Sequence, residues 1–237
     1  MARVTRTPRE LCALREQVIR CRACARLVRH RERVARQRVR RFADEEYWGR
    51  PLPGFGDPGA RVVLVGLAPA AHGGNRTGRM FTGDESGAWL IRALHRAGYA
   101  SHPHSLRRDD GLRLHDCYIT AAVRCAPPGN HPTRQEIERC RGFLLEELRC
   151  LPRARVVIGL GRVGFEAALD AYRRLGRVEY PRRPKFAHGK VHHLGELSFI
   201  ASYHPSQQNT FTRRLTRAMF DRVFAKARRE LARRTGG

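Results

Sequence analysis

The sequence predicts an α/β fold: a three-layer α/β/α sandwich around a central, mainly parallel, four-stranded sheet. Four short apolar runs rich in β-branched residues are bounded by turns, which is typical of buried strands. These runs are 61–67, 118–123, 155–160 and 197–203. Segments with helical spacing lie between them and after the last. Alternation of strands and helices favours a parallel sheet that is covered on both faces.

The segments with helical spacing are 86–97, 134–151, 163–175 and 212–234. An N-terminal helical arm is predicted within residues 1–50, and its stretch 31–41 is polar enough to predict a solvated helix face. The segment 177–193 is irregular and predicts a hairpin or a long loop. We expect residues 1–237 to form a single domain, because this length suffices for one buried core.

The charge is strongly positive. Lys and Arg number 47 against 22 Asp and Glu, which gives a net charge of +25. Such a surplus favours a polyanionic partner, and nucleic acid is the obvious candidate. An arginine-biased genome that decorates an ordinary surface would give the same count. The sequence shows neither a signal peptide nor a run of about 20 apolar residues. We therefore expect a soluble, cytoplasmic, nucleoid-associated monomer with no membrane contact.

Three unusual loops follow predicted strands, at 66–84, 124–132 and 203–211. Ligands of open α/β sheets bind at the carboxyl ends of the strands, so these loops are expected to form one site. Gly66 opens a loop with five glycines, which lets the backbone approach an anion or a flat base. That loop also holds Phe81, a candidate stacking platform, and Asp84, a catalytic candidate or simply a helix N-cap. His204 follows the last strand and is a candidate hydrogen-bond donor, although a lone His is often structural.

Seven cysteines without an export signal favour metal binding or burial over disulfides. Cys21 and Cys24 have the spacing of a two-ligand clamp, and Cys125 with Cys140 gives a second pair. Four thiolates hold either zinc or an iron–sulfur cluster. A chance pair or a redox pair stays open on spacing alone.

These loops resemble the motifs of family 5 uracil-DNA glycosylases, the broad-specificity branch of that superfamily. The matching stretches are GLAPAAHGGNRTGRMFTGD, RCAPPGNHPT and HPSQQNTFTRRLT. The resemblance implies a repair enzyme that hydrolyses the N-glycosidic bond of uracil in DNA without lyase chemistry, and a 4Fe–4S cluster. By matching position it assigns Cys21, Cys24, Cys125 and Cys140 as the cluster ligands. Arg213 departs from the family pattern, which usually has glycine there, at the expected start of a helix.

The resemblance also suggests roles for the loop residues. It implies catalytic roles for Asp84, His204 and Asn130, with Asn130 contacting the base or a water molecule. The substrate-binding set is Gly66, Ala68, Phe81, Gln207 and Gln208, with the two glutamines expected to fill the space that a flipped base vacates or else to be solvated. Related branches carry a polar residue at Ala68, and a close branch carries an asparagine at Ala121 or Ala122. A less polar pocket rejects fewer bases, so we expect activity on other damaged bases too.

Three other functions compete with this one. A non-catalytic nucleic-acid-binding protein with a four-cysteine metal site would bind DNA without releasing a base. A strictly uracil-specific sibling branch would have a polar side chain at Ala68 or Ala121. A redox carrier would have no need for the large positive charge.

Overall fold

The computed structural model describes residues 8–235 and is built around a six-stranded sheet. The strands are β1 (Phe55–Gly56), β2 (Val62–Gly66), β3 (Cys117–Ala121), β4 (Val156–Leu160), β5 (Val191–Leu194) and β6 (Leu197–Ser202). Their order across the sheet is β1-β3-β2-β4-β6-β5. The four inner strands are parallel, and both edge strands are antiparallel to their neighbours. The α/β class and the mainly parallel sheet are confirmed, but the predicted count of four strands is wrong.

The two extra strands lie at the edges, where the sequence signal is weakest. Strand β1 has only two residues and pairs Phe55 with Ile119. Strand β5 has the sequence VHHL, is partly exposed, and forms a hairpin with β6. An edge strand packs on fewer neighbours than an inner strand, so it needs no continuous apolar run. Residues 177–190 contain no helix or strand, which agrees with the long-loop alternative for 177–193, and the hairpin of β5 with β6 begins only at Val191.

Eight α-helices complete the described residues. They are α1 (Pro8–Arg20), α2 (Ala25–Gln37), α3 (Gly74–Thr77), α4 (Glu85–Arg96), α5 (Arg134–Arg149), α6 (Gly161–Arg174), α7 (Gln207–Phe211) and α8 (Arg217–Thr235). Short 3-10 turns occupy Arg40–Phe42 and Pro128–Asn130. The helix predicted over 212–234 begins only at Arg217, because the chain turns between α7 and α8. None of the helices within residues 8–235 is long and apolar enough to cross a membrane.

Two apolar cores flank the sheet and make the three layers. Alternate residues of an inner strand point to opposite faces, and both faces of β2 are buried. Val62 and Leu64 belong to the core that α4 and α8 cover. Val63 and Val65 belong to the core that α1, α5 and α6 cover. This arrangement explains why the inner strands have continuous apolar sequences.

The N-terminal arm consists of α1, α2 and the turn between them, which carries Cys21 and Cys24. Leu27 and Val28 of α2 are buried. Arg31 is also buried, with only 2% of its surface exposed. The prediction of a solvated face is therefore wrong at Arg31, because this side chain turns inward to Cys125.

Candidate active site

The carboxyl edge of the sheet brings Phe81 and His204 together. Their ring centroids are 5.7 Å apart, and the ring planes are inclined by 32°. Phe81 belongs to the loop after β2, and His204 follows β6, two positions away in the parallel sheet. Of the three loops expected to converge, 66–84 and 203–211 meet through these two rings.

The Phe81 ring lies against bare backbone. A Cβ atom placed on Gly66 would be 3.2 Å from two atoms of that ring, so glycine permits the close approach. Phe81 itself has φ 51°, in the left-handed region that bulky residues rarely adopt. Such strain persists where surrounding structure enforces it, often at functional sites.

Two buried arginines enforce the loop conformation around Phe81. Arg79 donates from Nε to Thr82 Oγ1 at 2.9 Å and from Nη2 to Asp110 Oδ2 at 2.7 Å. Arg76 donates from Nη2 to the carbonyl of Gly83 at 2.7 Å and also pairs with Glu45. Neither residue was predicted as part of the site, because an arginine in a chain of this charge does not stand out. The sign that could have found them is their position inside a glycine-rich loop.

Asp84 caps helix α4, because its Oδ1 accepts the Gly87 backbone N–H at 2.7 Å. Its other oxygen lies against Gly73, where an added Cβ would be 1.8 Å from Oδ2. Burial raises the pKa of Asp84, although the backbone N–H of Gly87 and the Arg76 charge oppose that rise. Some of the residue stays accessible to solvent, but its carboxylate is enclosed by protein. The cap is present, and it does not preclude a chemical role for the second oxygen.

His204 is held in place by its main chain. Asn209 donates from Nδ2 to the His204 carbonyl at 2.8 Å, across the start of α7. Burial lowers the pKa of His204 to about 4, since the cationic form would be poorly solvated. The imidazole is therefore neutral at pH 7 and keeps one N–H to donate.

The remaining polar candidates face solvent. Asn130 has φ 62° and lies exposed in the 3-10 turn after β3. Within residues 8–235, no hydrogen bond joins Asn130 to Asp84 or His204. Gln207 and Gln208 are exposed in the first turn of α7. Phe211, at the end of the same helix, is 75% exposed, and the sequence analysis missed it.

A second site lies behind the loops, where Cys21, Cys24, Cys125 and Cys140 line one cavity. Burial raises the pKa of Cys125 to about 12 and that of Cys140 to about 11. Within the described part of the chain, no three His, Cys, Asp or Glu side chains are grouped to hold a single metal ion. Cys117 and Cys150 are buried elsewhere, and Cys12 is exposed.

Two buried arginines, Arg31 and Arg124, contact cysteines of this cavity, and some of their donors have no acceptor. Arg31 donates from Nη1 to Cys125 Sγ at 3.1 Å, and the Arg124 backbone N–H donates to Cys140 Sγ at 3.3 Å. Nε of Arg31, and Nε and Nη1 of Arg124, are buried without a hydrogen-bond partner. Buried donors are normally satisfied, so this cavity suits an anionic group with several acceptors. Ala68 of the turn after β2 packs on the same cluster of residues.

Comparison with known proteins identifies the family. The model of the uracil DNA glycosylase superfamily matches residues 53–228. The chain belongs to this superfamily. A type-5 uracil-DNA glycosylase of Thermus thermophilus is 53% identical over 210 residues, which is 88% of this chain and 93% of the relative. One from Mycobacterium leprae is 50% identical over 218 residues, covering 91% and 93%. One from Pyrobaculum aerophilum is 45% identical over 211 residues, covering 89% of each chain.

Type-4 uracil-DNA glycosylases are more distant. The one from Pyrobaculum aerophilum is 29% identical over 162 residues, which is 68% of this chain and 74% of the relative. The resemblance to the family 5 branch of the superfamily is therefore confirmed. Arg213 has φ 56°, in the left-handed region that favours glycine, which is the residue that the resemblance leads one to expect there. This residue lies between α7 and α8, so the expectation that it starts a helix is wrong.

Proposed function

We propose that the protein is a DNA-repair glycosylase that hydrolyses the N-glycosidic bond of uracil in DNA and leaves an abasic site. The relatives at 45–53% identity are named as such glycosylases, which favours an enzyme over a non-catalytic binding protein. The observation that carries the proposal is the pairing of Phe81 with His204 at the carboxyl edge of the sheet. An aromatic face and a neutral imidazole are the groups that a flipped base needs.

DNA is the partner that the surface charge suits. The net charge is +25, and Arg162, Arg213 and Arg214 are exposed beside the edge where His204 lies. Guanidinium groups bind phosphates without regard to sequence. The target bond lies inside the duplex, so the nucleotide must leave the stack at a cost of a few kcal/mol. Contacts with phosphates offset part of that cost.

The flipped base stacks on Phe81, and His204 donates a hydrogen bond to a base carbonyl. Departure of the base leaves negative charge on its ring, and a positioned donor in a dry site stabilises that charge. A neutral imidazole suits this role because its N–H needs no prior protonation. Gly66 lies under the Phe81 ring, and its missing side chain lets that ring pack directly on the backbone.

Asp84 acts on the sugar side of the bond. Its carboxylate orients a water molecule or offsets the positive charge that develops on the sugar. A partly desolvated carboxylate interacts more strongly with that charge than one in water. Asn130 contacts the base or the attacking water, and Gln207 or Gln208 fills the vacated stack.

The base specificity is broad in this proposal. The side chains of Ala68, Ala121 and Ala122 cannot form hydrogen bonds. Ala121, the last residue of β3, and Ala122, which follows it, are each 1% exposed. A pocket with few obligate hydrogen bonds to the base besides that of His204 discriminates weakly, so hypoxanthine, hydroxymethyluracil and etheno-adducts are accepted.

The reaction ends at hydrolysis. Lyase chemistry needs an amine nucleophile, and the three lysines at 185, 190 and 226 lie outside the three site loops. Lys226 Nζ instead donates to the Gly189 carbonyl. A covalent adduct trapped by borohydride would contradict this part of the proposal.

The cysteine cavity holds a 4Fe–4S cluster, with Cys21, Cys24, Cys125 and Cys140 as its ligands. Four sulfurs around one cavity and buried donors without acceptors support this assignment. When bound, the cluster supplies a covalent brace and no step of the hydrolysis. Its four ligands would join the turn between α1 and α2 to the loop after β3 and to α5. The protein is further proposed to act as a cytoplasmic, nucleoid-associated monomer.

One gel assay tests the proposal. The protein is incubated with duplexes that carry uracil, hypoxanthine or etheno-cytosine, and alkali then cleaves any abasic site. An undamaged duplex of the same sequence is the control, and His204→Ala and Phe81→Ala are run beside the wild type. Excision of uracil that both substitutions strongly reduce supports the proposal. Salt-sensitive DNA binding without release of any base refutes it.

A further inference from the structure

Arg31 is a buried cation that the proposed reaction does not use. Its side chain is 2% exposed, and its guanidinium donates to Cys125 Sγ at 3.1 Å and to the Cys21 carbonyl at 3.2 Å. Its Nε has no hydrogen-bond partner. Both acceptors belong to residues that line the cysteine cavity. Cys21 lies in the N-terminal arm, and Cys125 lies in the loop after β3.

The charge of Arg31 has no matching buried carboxylate. A buried cation is costly unless an anion lies beside it. The carboxylate that reaches Arg31 is Glu32, whose Oε1 lies 3.9 Å away and also pairs with Arg22 at 2.5 Å. Arg124 is equally buried, but it pairs with the buried Glu147 at 2.7 Å. Of these two buried arginines, Arg31 is thus the one whose charge is less balanced.

We propose that Arg31 is a positioning residue for the cluster: it offsets the charge of the four thiolates and hydrogen-bonds the Cys125 sulfur. This inference rests on the cluster assigned under the proposed function. Net charge and hydrogen bonds to sulfur set the reduction potential of iron–sulfur clusters. Without Arg31, adding an electron becomes harder, and the Cys125 thiolate loses the charge that stabilises it. The potential therefore falls, and the cluster is lost more easily.

The backbone of Arg31 is anchored independently of its side chain. Asn75, in helix α3 of the glycine-rich loop, is fully buried and donates from Nδ2 to the Arg31 carbonyl at 3.2 Å. A substitution of the Arg31 side chain leaves this bond in place. Changes at the cluster can therefore be assigned to the guanidinium itself.

The experiment compares full-length wild type with Arg31→Met, Arg31→Lys and Arg29→Met, purified without oxygen. Arg29→Met is the matched control, because Arg29 is exposed on the same helix. Iron and sulfide content, the rate of bleaching by a chelator, and the midpoint potential are measured. Loss of an outer-shell partner typically weakens metal binding by about 10- to 100-fold, so Arg31→Met should bleach about tenfold faster or more. The midpoint potential of Arg31→Met should be lower than that of the wild type. Arg31→Lys should be intermediate in bleaching rate and potential, and Arg29→Met should match the wild type in both.

The outcomes separate this inference from the cluster assignment. Wild type without iron refutes the cluster itself, and the role of Arg31 with it. Iron-loaded wild type, with Arg31→Met matching Arg29→Met, overturns only the inference. Faster bleaching at an unchanged potential also overturns it, because a packing role alone would give that result. If circular dichroism shows that Arg31→Met does not fold, Arg31→Lys decides: intermediate bleaching supports the inference, and wild-type bleaching and potential overturn it.

Discussion

Asp84 caps a helix and is also proposed to act on the substrate, and two substitutions separate these roles. Asp84→Asn keeps an oxygen that accepts the Gly87 N–H, and asparagine caps helices about as well as aspartate. Burial already disfavours the charged carboxylate, so a neutral amide should not lower the free energy of unfolding. Asp84→Ala removes the acceptor and should cost about 1 kcal/mol. For a chain of this size, that corresponds to a fall in Tm of about 2–4 °C.

The catalytic effect should follow the charge rather than the cap. If the carboxylate activates water or stabilises the sugar cation, Asp84→Asn should slow single-turnover excision of uracil by about 10²- to 10⁴-fold at unchanged Tm. Thr216→Ala is the control that measures how the loss of a helix cap changes Tm and the excision rate, because Thr216 Oγ1 accepts the Met219 N–H at the start of α8. Asp84→Asn that excises uracil at the wild-type rate would show that the residue is only a cap.

Other predictions test the remaining residues. Arg213→Gly should raise the free energy of unfolding by up to about 1 kcal/mol, because glycine adopts φ 56° without strain. Urea denaturation measures this change, and a variant less stable than the wild type would contradict the prediction. The excision rate should fall as pH drops through the raised pKa of Asp84, because only the ionised carboxylate acts. His204 should not cause this fall, because its neutral form persists down to about pH 4. Suppose instead that the rate falls around pH 6.5 and that this fall disappears in His204→Ala. That result would refute the assignment of the titration to Asp84. Phe211→Ala tests a competing occupant of the vacated stack. If Phe211 rather than a glutamine enters it, the substitution slows excision from duplex DNA about tenfold and spares single strands, because only a duplex has a stack to fill. The same comparison on Gln207→Ala and Gln208→Ala shows whether these glutamines enter the stack instead, and equal losses on both substrates would exclude any such role.

The parts of the fold that depend on burial could be predicted from the sequence. The inner strands are apolar throughout because helices cover both faces, so their runs identify them. Strand β1 has two residues and β5 contains two histidines, so neither leaves a periodic pattern. The start of α8 was missed for a different reason: local turn geometry at Arg213 ends one helical stretch before the next begins.

The candidate site was accessible to sequence reasoning only in part. Phe81 and His204 follow strands of a parallel sheet, and that topology alone predicts that they meet. Arg31 looked solvated because its neighbours on α2 are charged, and its partner Cys125 is far away along the chain. Arg76 and Arg79 were hidden for a similar reason, since their role depends on carbonyls and hydroxyls that only the folded loop brings together.

The short edge strands limit one route by which copies of this arginine-rich protein could associate. A long exposed edge offers unpaired N–H and C=O groups on which another chain can add a strand. Here one border of the sheet is only two residues long, and the other is a four-residue strand with two histidines. Neither border is a good template for intermolecular pairing, so self-association through the sheet is disfavoured even where bound nucleic acid neutralises the positive charge.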